Sequence, residues 1–515
     1  MTAMKIVWEL PVVSIYEVAI TFIVFVVTLT IIRGRRNAVN VAVSLPGPRS
    51  WPIVGNLLQL GEYPYLTLTK MREEYGDVLC IKLGMVPVVV VSGMETIKQA
   101  LIKQGNSFAG RPDFYTFSLI GNGKTMTFSE KYGESWKLHK KIAKNALRAF
   151  SLTEAQSSTC SCLLEEHVCA EATELVKVLL NKAEKEGAFD PVEPITSTVA
   201  NVICALCFGK RYEHNDKEFL NIVHTNHEVM RTFASGNVAD VFPFFRYLPS
   251  PSLKSMIKFV NRLNNFMIKS IQEHYTTFDK NCVRDITDTL IALCQNRKVG
   301  WNNAVLTDEQ IVSTVTDIFG AGFDTIITGL QWCLLYLIQY PEFQTRIQQE
   351  IDEKVGQSRL PRFEDRTLLP FTEAFINEVF RHTTYMPFTI PHCTTASTTL
   401  NGYFIPKDTC VFINQYQVNH DETLWQDAGS FIPQRFLDER GGLNKDVTEK
   451  VMMFGMGMRR CLGENIARLE MFIFLTSLLH QLKIENLPDQ KLDLTPNYGL
   501  TMKPKSYKII VSPRI

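Results

Sequence analysis

Phe454-Gly455-Met456-Gly457-Met458-Arg459-Arg460-Cys461-Leu462-Gly463 decides how this chain is read. Three glycines around one cysteine give a backbone that turns tightly and lets a flat object come close. Directly behind it, Glu464 to Leu482 carries Ile466, Leu469, Ile473, Leu475 and Leu479 at roughly helical spacing, which predicts a helix. Cys461 then sits at a helix mouth, where free N–H groups and the helix dipole favour a thiolate. Arg459 and Arg460 add positive charge beside it. A thiolate placed this way is suited to ligate a metal; the plainer alternative is a buried structural cysteine in a glycine-rich turn.

The spacing of Phe454, Gly457, Arg459, Cys461 and Gly463 resembles the haem-binding signature F-x-x-G-x-R-x-C-x-G of the cytochrome P-450 superfamily, the haem-thiolate monooxygenases. That resemblance implies a mainly α fold with a smaller β portion. Haem b would lie between a long distal helix and a proximal cysteine loop and helix. Cys461 would be the axial thiolate of the iron, with Phe454 and Gly455 beside the ring.

Composition fits a large globular core: 515 residues, 45% hydrophobic and 21% charged. A net charge of +1 argues against nucleic acid as a partner, so any basic docking surface must be local. Twelve cysteines show no disulfide framework. Cys204-Ala205-Leu206-Cys207 has no second pair to complete a zinc site, and its apolar setting reads as a buried helix. An N-x-S/T acceptor is absent, consistent with a body outside the secretory lumen.

At the N-terminus, Val12 to Ile32 is apolar apart from a few small polar residues, Tyr16 and the charge Glu17, long enough to cross a bilayer core of ~30 Å. Arg33, Arg35 and Arg36 follow it, whereas only Lys5 precedes, which leaves the N-terminus luminal and the remaining mass cytosolic. The expected organisation is therefore a luminal tail and transmembrane signal-anchor over 1–36, a proline-rich hinge over 37–52 around Leu45-Pro46-Gly47-Pro48, and a catalytic domain over 53–515. The resemblance to microsomal members points to the endoplasmic reticulum. Asp77 to Leu83 and Pro87 to Val91 read as strands, Glu95 to Lys103 as a helix, and residues 149–303 as largely helical.

A long helical pattern, Asp308 to Tyr340, contains Phe319-Gly320-Ala321-Gly322-Phe323-Asp324-Thr325. Glycine in a helix interior costs about 1 kcal/mol relative to alanine, so the pair needs a reason: a flat cofactor against the backbone, or a locally widened ladder. Ala321, Gly322, Asp324 and Thr325 match the family's A/G-G-x-D/E-T motif. The resemblance makes Thr325 the holder of a distal water and Asp324 its proton relay. A threonine bonded back to its own helix beside a surface aspartate is the bland alternative.

Further roles carry over by motif position. Trp136 and Lys140, on a basic helix, and His392 and Arg459 would contact the haem propionates; Lys140 replaces the usual arginine with a point charge. Glu378 and Arg381, with Arg435 from Phe431-Ile432-Pro433-Gln434-Arg435-Phe436, would form a buried structural triad. Thr399-Leu400-Asn401-Gly402-Tyr403-Phe404 signals a hairpin, and Tyr498 to Met502 with Tyr507 to Val511 suggests a final one.

Thr316 to Thr325, Pro387 to His392 and Tyr498 to Lys503 resemble family 1, the aryl hydrocarbon hydroxylases, over nearly the whole chain after the anchor. The lining residues implied are Phe128, Phe266, Asp317, Ala321, Phe323, Met386, Ile390, Leu500 and Thr501, with Val229 leaving the pocket wider on one side. The implied activity is an O2- and NADPH-dependent unspecific monooxygenase. It would hydroxylate, epoxidise or O-dealkylate planar hydrophobic xenobiotics, with steroids, retinoids or fatty acids as further substrates. Electrons would come from a flavoprotein reductase, NADPH-cytochrome P-450 reductase, with cytochrome b5 as a second donor. Two other readings stand beside it, a haem-thiolate isomerase or dehydratase and a membrane haem sensor. The intact Asp324-Thr325 pair argues against the isomerase.

Overall fold

The computed structural model describes residues 45–151, 164–213, 216–234, 237–248, 250–295 and 307–514, with Thr21 and Thr28. The anchor at Val12–Ile32, its arginine flank and the Ser235-Gly236 turn lie outside the described residues, apart from those two threonines. Helix predominates, and the strands form three small sheets. This is the mainly α architecture with a smaller β portion that the sequence implies.

The longest helix, Asp308–Gln339, organises the core. A capping box starts it: the Gln310 N–H donates to Thr307 Oγ1 at 3.2 Å, and Gln310 Oε1 accepts from the Thr307 N–H at 3.0 Å. From Ile326 to Ile338 every side chain is buried, with Trp332 and Tyr336 among the largest. Among the described residues this is the one helix long and apolar enough to cross a membrane, and it lies inside the protein. Two of its glycines, Gly322 and Gly329, have a packing reason. A Cβ on Gly322 would fall 2.8 Å from Ile203 Cδ1, and one on Gly329 would fall 2.9 Å from Met471 Sδ. Gly322 therefore admits the Val192–Phe208 helix, and Gly329 the Glu464–Gln481 helix behind the cysteine loop. The Cys204/Cys207 pair is buried in the first of these, as expected.

The main sheet runs in the order Val78–Leu83, Val86–Val91, Cys410–Ile413, His392–Cys393. The first pair is antiparallel, Val78 opposite Val91; Val88 to Val91 then run parallel to Cys410 to Ile413, and His392 pairs with Val411. The predicted helix after the second strand is α-helical over Met94–Lys98 and continues as a π-turn over Gln99–Lys103. The Asn-Gly hairpin forms between Thr398–Leu400 and Tyr403–Ile405, with positive φ at both Asn401 and Gly402. The final hairpin does not form as predicted. Ile509–Pro513 pairs with Leu482–Glu485 and Ala188–Phe189, while 498–502 is an irregular loop pinned by the Asn497–Lys503 bridge. Pro504 lies between the two segments and supplies no N–H to a ladder. The proline-rich segment is also less free than a hinge. The Cys80 N–H donates to Pro46 O at 2.8 Å, and Gly47 lies so close to Cys80 O that a Cβ would reach 2.1 Å.

Glu378, Arg381 and Arg435 meet. Arg381 donates to both Glu378 oxygens at 2.6 and 2.8 Å, Arg435 Nε reaches Oε1 at 3.2 Å, and the Ile432 N–H adds a bond at 2.7 Å. The remaining Arg381 donors reach the carbonyls of Asn419, Ala428 and Ser430. The group thus ties the Pro370–Thr383 helix to the loop that leads into the cysteine segment. Glu470 is the opposite case: a fully buried carboxyl whose two oxygens have no partner, which burial pushes up to about 8.

Two outcomes follow. Glu378→Ala leaves two guanidiniums in a dry site and should cost on the order of 3–5 kcal/mol in chemical unfolding. For Glu470, the folded state keeps a proton that the unfolded state releases above 4.5, so stability falls as pH rises from 4.5 to about 8. Glu470→Gln should flatten that slope when melting is compared at about pH 5 and about pH 8.

Candidate haem-thiolate site

Cys461 leaves a 3₁₀ turn, Gly457–Arg459, and its N–H donates to Phe454 O at 2.9 Å. Gly457 has φ +66°, and a Cβ there would lie 1.8 Å from the carbonyl oxygen of Leu101. The glycine is required by backbone of the π-turn, not by a flat ligand. Gly455 also has φ +66°. At Gly463 a side chain would meet nothing, and the Glu464–Gln481 helix begins directly after it.

The electrostatics differ from the expectation. Burial is the largest influence on Cys461 and raises the thiol above its ordinary value. A backbone hydrogen bond from Gly463, Lys140 and Arg460 oppose this without overcoming it. Arg460 is diverted to Glu464, 2.7 Å from Nη2 to Oε2. Arg459 turns away altogether: it donates to the carbonyls of Ala109, Met126 and Ser129 at 2.8, 2.6 and 3.1 Å and covers the Trp136 ring at 4.1 Å. The helix mouth and arginines therefore do not by themselves make a thiolate; a bound cation would.

The predicted propionate contacts do assemble on one side of this loop. Trp136 Nε1 donates to Met126 O at 2.9 Å, and His392 Nδ1 lies 2.8 Å from Phe108 O. Lys140 Nζ donates to Met458 O and, at 3.4 Å, to Arg460 O. Arg111 belongs to the same group and was missed as a site residue. It sits in Gly110-Arg111-Pro112-Asp113 and donates to Thr127, Ile390 and Pro391 carbonyls at 2.9, 3.0 and 3.0 Å.

Among the described residues, none of these basic groups has a carboxylate within ion-pair distance. Burial lowers Lys140 to about 8 and Arg459 to about 10, and also lowers Arg111 and His392. Mutual repulsion adds to the effect: Arg459 acts on Lys140, and Arg111 on His392. Asp317 opposes the shifts of Arg111 and Arg459 at longer range, and desolvated positive charge without a close counter-ion is costly. It fits a ligand that brings carboxylates to this edge.

The distal motif has its own opening. Ala321 is exposed in mid-helix between buried Gly320 and Phe323, and Thr325, one turn on, is half-buried. Thr325 Oγ1 bonds back to Ala321 O at 2.9 Å, the bland arrangement named for it. Asp324 is buried rather than at the surface, and accepts from Thr501 Oγ1 at 2.6 Å and Lys503 Nζ at 2.5 Å. Cys461 is likewise solvent-accessible.

Of the lining residues, Phe323 stacks with Phe319 at 6.3 Å and 6°, and Phe319 meets Phe208 and Phe266 at 5.7 and 6.4 Å. Phe128 packs against Phe117 at 4.9 Å. Phe117, Phe208 and Phe319 were not anticipated, although Phe319 and Phe323 share a helical face at i, i+4. Asp317 accepts from the Met126 and Thr127 N–H groups at 2.7 and 3.2 Å, and burial pushes its carboxyl up to about 6. Met386, Ile390 and Leu500 are half-buried. Thr501 is buried and its hydroxyl is committed to Asp324, so it contributes no free polar group to a lining. Val229 is buried against Met256 and Val260 in a separate apolar cluster.

Comparison with known proteins gives the family. A sequence model of the family described as Cytochrome P450 matches residues 45–511. The chain is 51% identical over 496 residues to Cytochrome P450 1A1 of Sparus aurata, covering 96% of this chain and 95% of that one. It is 52% identical over 463 residues to Cytochrome P450 1A1 of Limanda limanda, covering 90% and 89%. To Cytochrome P450 1A5 of Gallus gallus it is 50% identical over 496 residues, covering 96% and 94%. On this match over most of its length, the chain is a member of the cytochrome P450 family, within family 1, the haem monooxygenases that act on xenobiotics.

Proposed function

We propose that this enzyme oxidises planar aromatic compounds at the cytosolic face of the endoplasmic reticulum, using electrons passed from NADPH through a flavoprotein reductase. The observation that carries the site assignment is the group of basic residues beside Cys461, buried Arg111 and His392 with half-buried Lys140 and Arg459, none of them within ion-pair distance of a described carboxylate. Haem, bound with Cys461 as its thiolate ligand, supplies oxygen binding and reductive activation. The protein does the remaining work.

Arg111, Lys140, His392, Arg459 and Trp136 hold the carboxylate edge and so fix the ring against rotation. Metal coordination, not the local charge, keeps Cys461 deprotonated. Phe323, with Phe319, Phe208 and Phe266 behind it, forms an apolar wall on which a flat ring can stack. Phe128, Asp317, Ala321, Met386, Ile390 and Leu500 complete the pocket. Ala321 leaves room at the helix surface, and Thr325 offers a hydroxyl there to hold a water or a proton. Asp324 supplies the carboxylate for proton exchange. Val12 to Ile32 serves as the membrane anchor, with 37–52 leading into the catalytic domain at 53–515.

Reconstitution with reductase, NADPH and oxygen tests the reading against a panel of planar aromatic ethers and hydrocarbons. Product should form only with all three present. A thiolate-type carbon monoxide spectrum without turnover would leave a haem-binding sensor, and turnover with peroxide alone an isomerase. Cys461→Ala should abolish the thiolate–carbon monoxide spectrum; an unchanged spectrum would overturn the ligand assignment. Arg111→Met removes a donor from three carbonyls and one positive charge. It should lower the haem-to-protein ratio severalfold, at about 1–3 kcal/mol per unsatisfied buried group.

A further inference from the structure

The sheet that carries His392 ends in a pair of cysteines. His392–Cys393 is its last strand, two residues long, and Cys393 lies directly opposite Cys410 in antiparallel register. The backbone of Cys393 is turned the other way: its N–H donates to Gly110 O and its carbonyl accepts from the Gly110 N–H, each at 3.0 Å. Cys393 and Cys410 are therefore a non-hydrogen-bonded pair. In that narrow kind the Cα atoms stand about 4.5 Å apart and both side chains leave the same face of the sheet. Disulfides span Cα separations of roughly 4.4–6.8 Å. Both cysteines are buried free thiols.

Apolar packing accounts for Cys410, which sits among Leu79, Ile81 and Val88. Cys393 instead turns its thiol to the Thr394 carbonyl at 3.8 Å, a weak bond that an S–S bond can replace. Burial keeps both groups as thiols at rest: it pushes Cys393 up to about 12 and raises Cys410 as well. Reaction awaits local opening, and an edge strand of two residues opens at low cost. The pair is also well placed. Cys393 follows His392, and the Gly110 it bonds precedes Arg111, so two basic groups of the ring edge adjoin it.

We propose that Cys393 and Cys410 are a reversible oxidation site: a small two-electron oxidant such as hydrogen peroxide joins them in a cross-strand disulfide that locks the strand carrying His392. The effect on haem rests on the reading of His392 and Arg111 as haem contacts; the bond itself does not. When the edge opens, Cys393 loses its proton and its sulfur attacks peroxide. The O–O bond breaks; one oxygen stays on sulfur as a sulfenic acid, and the other leaves as hydroxide and takes up the proton to become water. The Cys410 sulfur then attacks the Cys393 sulfur, the S–S bond forms, the S–O bond breaks, and a second water leaves with the Cys410 proton. The two thiols give up two electrons in all, and one peroxide is reduced to two waters. A thiol reductant reverses the bond, in keeping with the transient character of cytosolic disulfides.

The test uses the full-length haem-loaded protein, treated with hydrogen peroxide, quenched with catalase, alkylated and digested with trypsin. Cleavage after Lys407 parts the two cysteines. A Cys393–Cys410 disulfide should therefore appear by mass spectrometry as two joined peptides that separate on reduction, and Cys393→Ser or Cys410→Ser should abolish them. Diamide, which oxidises thiol pairs without peroxide, then spares the haem while its transfer to apomyoglobin is timed. The oxidised parent should lose haem about threefold more slowly than the reduced parent, and dithiothreitol should restore the faster rate. Cys393→Ser should show no difference between the two treatments. Cys393 and Cys410 both found alkylated and unjoined after peroxide would overturn the site, and joined peptides with unchanged haem transfer would overturn the lock. A parent protein that binds no haem would instead refute the haem reading, and the joined peptides would still decide the disulfide.

Discussion

Positive charge with, among the described residues, no carboxylate in ion-pair reach is the constraint around which the site is assembled. Arg111, Lys140, His392 and Arg459 come from separate segments and are each pushed by burial towards their neutral forms. Their donors are met by main-chain carbonyls of residues 108–129, 390–391 and 458–460. The carbonyls hold the basic groups in place without cancelling their charge. Four segments are thus fixed relative to one another before any cofactor arrives, and the remaining electrostatic cost is relieved by the anion that binds. The same carbonyl at Met126 serves Trp136 and Arg459, so the indole and the guanidinium over its face are positioned as one unit.

Much of this was legible from residue spacing. The cysteine loop, the helix behind it and the Asp324–Thr325 motif follow short patterns, whereas Arg435, 57 residues from Glu378, joined its group only through the family resemblance. What the sequence hid was the direction in which side chains point. Arg459 and Arg460 adjoin Cys461 in sequence, but one reaches carbonyls of a distant loop and the other a carboxylate on the following helix. Arg111 was given no role because its partners are backbone atoms, which carry no sequence signature. The last hairpin was misplaced for a related reason. Strand propensity at 507–511 says nothing about whether the partner is the preceding loop or Leu482–Glu485.

The glycines teach the same lesson about cause. Both motifs were read as backbone thinned for a flat ligand. Gly322 instead makes room for Ile203, and Gly457 for the carbonyl of Leu101. Both are packing requirements of protein against protein, and they fix the helix and the cysteine turn in position. Ala321 and Cys461, which do present open surface, are the non-glycine residues beside them. Glycine here supplies precision of placement, and its neighbours supply the contact.

The contact between Gly457 and the π-turn at Leu101 bears on the order in which the chain can fold. It joins the last part of the polypeptide to be synthesised to an early part, and the adjoining Arg459–Ala109 bond spans 350 residues. Contacts of such separation pay their loop-closure entropy late, after the local helices and the central core have formed. The cysteine loop therefore acquires its shape near the end of folding. During synthesis the first half of the chain, with its basic groups unsatisfied by their final partners, must wait for the C-terminal segment to emerge. Cofactor capture becomes a completion step, and a chain truncated within its last sixty or so residues would retain most of its helices while having nowhere to put the ring.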